Sequence, residues 1–586
     1  MATFRLWAPD APAISVVADE GDSLPMPAVG DGWFELTTDR FRPGDRYSFQ
    51  LPDGRRVPDP AARAQAGDVH GPSLLVDPRA YGWRTPEWQG RPWEEAVIYE
   101  LHTGTFSEDG TFAGIEAHLD HLAETGVTAV ELMPVAQFGG GRGWGYDGVL
   151  LYAAHRAYGG PQGMKALVDA AHERGLMVLL DVVYNHFGPD GNYLHAYAED
   201  FFNAARETPW GPAIAYERQA VRDFFVDNAL FWLEEYRLDG LRLDAINEIQ
   251  DPSAEHVLET IAKAVRVQFP DRHVHLTTED DRNITGLHRR DASGRPLLYT
   301  AEWNDDFHHA AHVAVTGESD GYYVDYGGDT VAGLARGLAE GFIYQGEVSR
   351  FWGQKPRGEP SDGQPPTAFV NFIQNHDQIG NRALGERLTT LAPGRAVEAL
   401  TAVLLLSPQI PMLFMGEEWG ETRPFAFFTD FHGELADAVR EGRRREFRRF
   451  PAFADPAARA RIPDPNAEGT FQASRIDWTA LDQEKGQARH QFVQRLLAIR
   501  HAEIVPRLPH VAGGAGRAKA DARDVIAVRW RLGDGSQLHL VANLSGTPAA
   551  RVAGLPGRVL FETENGLAQA GDLPPWSVAV TLGDRA

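Results

Sequence analysis

The stretch GLRLDAINEI, residues 240–249, begins as a buried strand and then becomes polar. It places Arg242 and Asp244 two positions apart, where the side chains of a strand point to the same face. An isolated Arg-x-Asp is usually a structural ion pair, so the rest of the sequence decides whether this pair has a chemical role. Other apolar runs also end in acidic, amide or imidazole side chains: LLDVVYNH (179–186), HLTTEDD (275–281) and NFIQNHD (371–377).

From about Val97 onward, short apolar runs alternate with helical patterns, which is typical of βα units around a parallel sheet. One amphipathic stretch, Gly163 to Arg174, is followed by Gly175, a residue that commonly ends helices. Eight such units favour an α/β fold with a closed (β/α)8 TIM barrel. The predicted strands are Val97–Leu101, Ala129–Met133, Met177–Val183, Leu241–Ala245, Val274–Thr278, Leu297–Thr300, Ala368–Ile373 and Met412–Met415.

Both ends of the chain alternate with period two, which predicts β-structure. We expect an N-terminal β-sandwich domain over 1–90, the catalytic barrel with loop insertions over 91–500, and a C-terminal antiparallel β-domain over 501–586. Within the last of these, the sequence VIAVRWRLGDGSQLHLVANL (525–544) predicts a hairpin around Gly533-Asp534-Gly535.

Two tracts stand out by composition. The Pro/Gly-rich tract GQKPRGEPSDGQPP (353–366) predicts a mobile loop, and the basic tract RRREFRRF (443–450) predicts a helix face that is solvated or paired with acidic neighbours.

The composition limits the classes of function. The 586 residues include 43% hydrophobic and 24% charged residues, no cysteine and a net charge of -26. Because the charge is strongly negative, we expect no nucleic-acid or anionic-membrane partner and a neutral substrate. No apolar run is long enough to span a bilayer, and the N-terminus MATFRLWAPDA lacks the features of a signal peptide, so we expect a cytoplasmic protein. The oligomeric state is not predictable.

In a (β/α)8 barrel, the carboxyl ends of the strands line the active site. An Arg on the same strand face lowers the pKa of a carboxyl, so Arg242 suits Asp244 to the role of nucleophile. Glu279, in a less cationic and more desolvated place, would keep a proton and act as general acid. In retaining glycosidases two such groups lie about 5 to 5.5 Å apart. Asp377 would be a third carboxylate, gripping sugar hydroxyls.

The four polar motifs resemble, in order and kind, those of the α-amylase superfamily, glycoside hydrolase family 13. They are Asp181 to His186, Gly240 to Ala245, Glu279, and Asn375-His376-Asp377. The resemblance implies that Asp244 is the nucleophile, Glu279 the acid/base and Asp377 the transition-state stabiliser. It also implies substrate-binding roles for Arg242, His186, His376 and, in GWGYDG (143–148), Tyr146 and Asp147.

Further signatures narrow the resemblance: EWNDDFHHAAHVAVTGESDGYYVDY (302–326), FIQNHDQIGNR (372–382), MGEEWGETRPFAFFTDF (415–431) and GRRREF (442–447). They are similar to the superfamily's maltooligosyltrehalose trehalohydrolases. The implied reaction is hydrolysis of the α-1,4 bond next to the terminal trehalose of maltooligosyltrehalose or related α-glucans. The residues expected near the leaving trehalose are Trp303, Asp306, Phe307, His308, Glu417 and Trp419. Core packing is the alternative for the three aromatic residues, and a structural hydrogen bond for His308 and Glu417.

Several alternatives remain open. Glu302 competes with Glu279 for the role of acid. Asn185 matches a position that binds calcium in many α-amylases, and His308, His309 and His312 have helical spacing that could hold zinc. We expect no metal and no cofactor, because two carboxylates suffice for hydrolysis. The rival functions are a glucan branching enzyme, which usually has Ser-His-Asp-Glu where this chain has Asn-His-Asp-Gln (375–378), and a non-catalytic glycan-binding protein.

Overall fold

The computed structural model describes residues 1–585 except 20, 22, 520–524, 551–553 and 570. The N-terminal part forms two antiparallel sheets, of order β1-β5-β4 and β3-β2-β6-β7 with β8 paired to β6. Their apolar faces, with Phe4, Val16 and Phe49, join the main core. The predicted N-terminal β-structure is therefore confirmed. The strands are β1 (Ala2–Trp7), β2 (Ile14–Ala18), β3 (Ser23–Met26), β4 (Ala28–Gly30), β5 (Trp33–Thr38), β6 (Arg46–Gln50), β7 (Arg56–Val57) and β8 (Ser73–Leu74).

The centre of the molecule is a closed parallel barrel, as predicted. Its strands are buried on both faces, which explains why they read as nearly continuous apolar runs. In barrel order they are β9 (Ile98–Leu101), β10 (Ala129–Leu132), β13 (Met177–Val182), β16 (Gly240–Leu243), β17 (His275–Thr278), β18 (Ala301–Trp303), β21 (Phe369–Phe372) and β22 (Ile410–Phe414), and β22 pairs with β9.

The sixth barrel strand was predicted at the wrong place. Leu297–Thr300 is the approach to the barrel, with Leu297 52% exposed, and the strand begins at Ala301. Polar Glu302 lies inside this strand, so the apolar run that marked the other strands is interrupted here. The prediction consequently chose the preceding apolar residues.

Helices follow most barrel strands and cover the outside of the barrel. The predicted helix near 163–174 is α4, and Gly175, with φ +70°, follows it. None of the helices in the described ranges is long and apolar enough to cross a membrane. The α-helices are α1 (Thr103–Phe106), α2 (Phe112–Glu116), α3 (Leu119–Thr125), α4 (Gly160–Glu173), α5 (Gln219–Glu235), α6 (Val257–Gln268), α7 (Asp305–Thr316), α8 (Thr330–Glu340), α9 (His376–Gly380), α10 (Leu388–Leu391), α11 (Gly394–Leu406), α12 (Gly433–Glu446), α13 (Pro456–Arg459), α14 (Glu468–Ala473) and α15 (Glu484–Ile499).

The C-terminal part is an antiparallel sheet of order β23-β24-β25-β27-β26. The predicted hairpin is confirmed: β24 pairs with β25 from Ile526↔Ala542 to Arg531↔Gln537, and Gly535 turns the chain with φ +87°. The strands are β23 (Gly516–Ala518), β24 (Ile526–Arg531), β25 (Gln537–Asn543), β26 (Arg558–Glu562) and β27 (Ser577–Gly583).

Three two-stranded ribbons project from the barrel loops. The Pro/Gly-rich tract, predicted as a mobile loop, contains one of these strands, and Arg357 anchors it through Asp306 at 2.9 Å. The basic tract lies at the end of α12. The predicted solvated or acid-paired face fits the exposed Arg445 and also Arg443, which pairs with Glu446 at 3.4 Å although its side chain is only 8% exposed. The ribbon strands are β11 (Ala136–Gln137), β12 (Leu150–Ala154), β14 (Phe202–Thr208), β15 (Gly211–Ile214), β19 (Glu347–Ser349) and β20 (Lys355–Arg357).

Candidate active site

One buried guanidinium organises the carboxyl end of the barrel. Arg242 Nη1 donates to Asp181 Oδ2 at 2.5 Å and to Asp244 Oδ1 at 2.9 Å, and Nη2 lies 2.7 Å from Glu279 Oε2. The guanidinium lies over the Trp303 ring at 4.2 Å. Since β13, β16 and β17 are neighbours with Asp181 opposite Arg242, these side chains point to the same interior. Asp244 and Glu279 thus point to the same space at this end of the barrel, called the cavity below, and their side chains keep 10% and 18% exposure.

The Asp244 carboxylate is held from both sides. Besides Arg242, it accepts a hydrogen bond from Asn185 Nδ2 to Oδ2 at 2.8 Å, and the same amide donates to the Asp244 backbone carbonyl at 2.8 Å. Both carboxylate oxygens therefore accept hydrogen bonds, one of them from a cation. Such contacts fix the direction in which the carboxylate presents itself to a reacting carbon.

Glu279 lies beside the same cation, whereas the sequence predicted a less cationic place for it. Its Oε2 also accepts a hydrogen bond from the Ala245 N–H at 2.9 Å. Burial raises the pKa of the Glu279 carboxyl and the charge of Asp244 raises it further, while Arg242 opposes both effects. Because burial prevails, Glu279 is suited to hold and donate a proton.

Asp377 is connected to this centre through His376 and Tyr146. The His376 ring bonds through Nδ1 to the Glu100 carboxylate and through Nε2 to the Tyr146 hydroxyl at 2.7 Å. That hydroxyl also lies 2.6 Å from Asp181 Oδ2. Burial lowers the pKa of His376, but Glu100 outweighs it and the pKa rises to about 9. The resulting imidazolium lies 3.5 Å from Asp377 Oδ1, and Asp377 keeps 32% of its side chain exposed.

The expected sugar-binding residues at the other side of the cavity form a small aromatic group. The half-buried Tyr146 ring stacks on His376 with centroids 5.1 Å apart. Burial raises the pKa of the neighbouring Asp147 to about 6. His186 bonds through Nε2 to the Tyr146 carbonyl at 3.0 Å, and burial lowers its pKa to about 4. Nδ1 of the same ring bonds to Asn185 Oδ1, so both nitrogens of the neutral His186 already have protein partners.

Trp210 was missed by the sequence analysis. It lies in the turn between β14 and β15, is 49% exposed, and stacks on His186 with centroids 4.2 Å apart. An exposed indole over a candidate binding residue is suited to the apolar face of a sugar. Only the general abundance of Trp pointed in this direction, since nothing in the sequence indicates that residues 186 and 210 meet.

The six residues expected near the leaving sugar are buried, and their contact with that sugar stays a prediction. All six residues are at most 2% exposed. Trp303, for example, lies beneath Arg242. The alternatives of core packing and structural hydrogen bonds fit better. The six residues are Trp303, Asp306, Phe307, His308, Glu417 and Trp419.

Two of these residues have structural partners that the motif did not reveal. Asp306 accepts hydrogen bonds from the N–H groups of Ile343 and Tyr344 at 2.7 and 2.8 Å and pairs with Arg357, so it anchors a loop. His308 bonds to the Ile373 carbonyl at 2.9 Å. These polar groups satisfy backbone and loop partners away from the cavity.

Different residues line the Glu279 side of the cavity. Asp305, the neighbour of Asp306, is half-buried and accepts a hydrogen bond from Gln378 Nε2 at 3.2 Å, while the Tyr322 hydroxyl donates to Gln378 Oε1 at 3.2 Å. Burial raises the pKa of Asp305, and the nearby charges of Glu279 and Asp377 raise it further. The sequence held a signal for Asp305, since it stands in the same motif, but the motif did not tell which of two consecutive Asp residues faces the cavity.

Glu302 does not share the cavity. It is fully buried, accepts a hydrogen bond from Thr278 Oγ1 at 2.6 Å and lies 3.2 Å from His288 Nε2. Successive strand residues point to opposite faces, so Trp303 faces the barrel interior and Glu302 faces outward. Of the two candidate acids, Glu279 is the one beside Asp244.

The residues considered as metal ligands have other partners. Asn185 uses its amide on Asp244, and His312 Nε2 bonds to Glu318 at 2.8 Å. Among the residues that the structure describes, no cluster of three or more His, Asp or Glu side chains is arranged to hold a metal ion.

The sequence and structure resemble known proteins. The sequence model of the alpha amylase catalytic domain matches residues 94–210, and that of a domain of unknown function, DUF3459, matches residues 513–580. A 1,4-alpha-glucan branching enzyme from Pseudoalteromonas atlantica is 32% identical, but over only 42% of this chain and 37% of its own.

Two other proteins match this chain over nearly its full length. A crystal structure described as an alpha amylase of Salmonella typhimurium superposes with a TM-score of 0.95, at 53% identity over 99% of this chain and 97% of its own. The malto-oligosyltrehalose trehalohydrolase of Deinococcus radiodurans is 40% identical over 96% of this chain and 91% of its own. The chain therefore belongs to the malto-oligosyltrehalose trehalohydrolase family of the α-amylase superfamily.

Proposed function

We propose that this protein is a retaining glycoside hydrolase that cleaves the α-1,4-glucosidic bond next to the terminal trehalose of maltooligosyltrehalose. The products are trehalose and a maltooligosaccharide. The observation that carries the proposal is the shared contact of Asp244 and Glu279 with one guanidinium, at 2.9 and 2.7 Å. It occurs in a chain whose full-length relatives bear the trehalohydrolase name.

The proposed reaction has two displacements. Glu279 donates its proton to the glycosidic oxygen while Asp244 attacks the anomeric carbon, so trehalose leaves and a glycosyl-enzyme ester forms. The Glu279 carboxylate then takes a proton from water, which attacks the same carbon and releases the maltooligosaccharide from Asp244. Asp377 and the His376 imidazolium would bind hydroxyls of the distorted sugar. Tyr146 and His186 would hold the same ring.

The leaving disaccharide needs hydroxyl-binding groups on the acid's side of the cavity. Asp305, Gln378 and Tyr322 form a hydrogen-bonded row there, with both contacts 3.2 Å long. Because its pKa is raised, Asp305 can hold a proton and donate a hydrogen bond. We assign these three residues to the leaving trehalose in place of the six buried ones.

The rival proposal is glycosyl transfer, as in a branching enzyme, where a sugar hydroxyl rather than water takes up the glycosyl group. The neutral Gln378 next to Asp377 and the partial extent of the branching-enzyme match favour hydrolysis.

The deciding experiment is product analysis. The protein is incubated separately with maltopentaosyltrehalose and with amylose, and the products are separated by anion-exchange chromatography. Hydrolysis predicts free trehalose and maltopentaose from the first substrate and no new α-1,6 branches in the second. Branched product without free trehalose would refute the proposal in favour of transfer.

An Asp244→Asn variant tests whether the protein is a catalyst or a glycan-binding protein. Turnover should be abolished because the nucleophile is lost, while binding of maltopentaosyltrehalose, measured by calorimetry, should remain. Unchanged hydrolysis would show that Asp244 is not the nucleophile.

A further inference from the structure

Arg443 is unlike the other arginines of the basic tract. Arg444 is 32% exposed and pairs with Glu441 at 3.2 Å, and Arg445 is exposed. The Arg443 side chain, by contrast, is 8% exposed, and its guanidinium lies 4.7 Å from the Phe447 ring centroid. Its one carboxylate contact in the described residues is with the half-exposed Glu446 at 3.4 Å. A buried cation with such a weak partner requires other acceptors.

Those acceptors lie at the end of the helix that carries Asp377. Arg443 Nη2 donates to the carbonyls of Gly380 and Arg382 at 2.6 and 3.0 Å. Gly380 is the last residue of α9, whose first two residues are His376 and Asp377. The carbonyls at a helix end lack partners within the helix and carry partial negative charge, so a guanidinium there both satisfies and stabilises them.

The opposite side of this helix end is also held tightly. A Cβ on Gly380 would come within 2.0 Å of the Trp144 ring, so the backbone lies directly against the indole. The Trp144 ring packs against the rings of His376 and Phe427, with centroids 5.4 and 5.2 Å apart. Phe427 in turn lies 5.6 Å from the Arg443 guanidinium. Arg443 and Trp144 thus enclose the short helix from two sides.

Burial raises the pKa of Asp377, and the charge of Asp377 in turn favours the charged form of Arg443, so the two groups stabilise each other's charge. The carboxyl groups that face Asp377 are Glu279, Glu100 and Asp305, and the cations are His376 and Arg242. The phenols are Tyr146 and Tyr322, which burial keeps neutral by raising their pKa. The three carboxyl groups disfavour a negative charge on Asp377, so Arg443, as a third cation, helps to favour its ionised form.

We propose that Arg443 is a positioning residue for the glycosidase reaction: it fixes the end of α9 through two backbone carbonyls and provides a cation that favours the ionised form of Asp377. This inference rests on the proposed function only in that Asp377 takes part in the reaction. It gives the basic tract a role that its exposed arginines do not have.

The test compares Arg443→Gln and Arg443→Lys with Arg444→Gln as matched control. In Arg443→Gln, kcat should fall about tenfold or more, the effect of losing a charge-assisted hydrogen bond, with a smaller change in KM. The acidic limb of the kcat–pH profile should move to higher pH, because Asp377 loses a favourable charge. Arg443→Lys should keep the position of this limb while lowering kcat, and the control should match wild type.

The inference is overturned if folded Arg443→Gln, checked by circular dichroism, keeps the wild-type kcat and acidic limb. It is equally overturned if Arg443→Lys moves the limb as far as Arg443→Gln. Should the Gln variant not fold, an unchanged kcat in the Lys variant would refute the positioning role. The kcat of each variant is compared with that of the wild type on whichever α-glucan the wild type cleaves. A wild type that releases no trehalose therefore refutes the proposed function and not this inference.

Discussion

Replacing Arg242 by Lys should slow the reaction although the charge is kept. The two Nη atoms of Arg242 reach three carboxylates at 2.5, 2.9 and 2.7 Å. A single ammonium cannot occupy both nitrogen positions, so at least one of these carboxylates loses its contact. A hydrogen bond to a charged group contributes about 1.5–3 kcal/mol. If the lost contact is to Asp244 or Glu279, kcat/KM should fall roughly 10- to 150-fold.

The assay is release of trehalose from maltopentaosyltrehalose, with the melting temperature measured in parallel. Arg500→Lys is the matched control, because Arg500 is equally buried but, within the described part of the chain, donates only to backbone carbonyls, such as that of Ser407 at 2.6 Å. We expect the control to lose stability and keep kcat/KM. A value of kcat/KM for Arg242→Lys within about twofold of wild type would refute the idea that the planar fork positions the two carboxylates.

Two further predictions concern the acid and the exposed indole. Glu279→Gln should lower kcat about 10²- to 10⁴-fold on maltopentaosyltrehalose, because an amide cannot donate the proton, and much less on an aryl maltoside with a good leaving group. Burial raises the pKa of Glu279 and the protonated form is the active one, so wild-type kcat/KM should fall as pH rises through that pKa. A Glu279→Gln variant that keeps this basic limb would contradict the role of Glu279 as general acid. Trp210→Ala should raise KM by a few-fold to about tenfold, equivalent to the roughly 0.5–1.5 kcal/mol of an aromatic contact, with little change in kcat. An unchanged KM for long oligosaccharides would show that the indole over His186 does not bind sugar.

The parts of the candidate site that could be predicted share one property: each stands at the end of an apolar strand. Asp244, Glu279 and Asp377 were identified in this way, and the structure brings them to one end of the barrel. The residues of the EWNDDFHH motif lie instead at a strand-to-helix junction, where orientation changes with each position. Asp305 faces the cavity while Asp306 anchors a loop, and the spacing of the motif does not distinguish them.

The sequence by itself determined the barrel, the flanking antiparallel sheets and the family, because strand and helix periods and short motifs are local properties. Only the tertiary structure decided which distant side chains meet: that Arg242, the strand neighbour of Asp244, also reaches Glu279, that Trp210 covers His186, and that Arg443 binds the end of the helix that carries Asp377. These contacts join residues far apart in the chain. Their existence depends on how loops of particular lengths pack over a closed barrel, which no local pattern encodes.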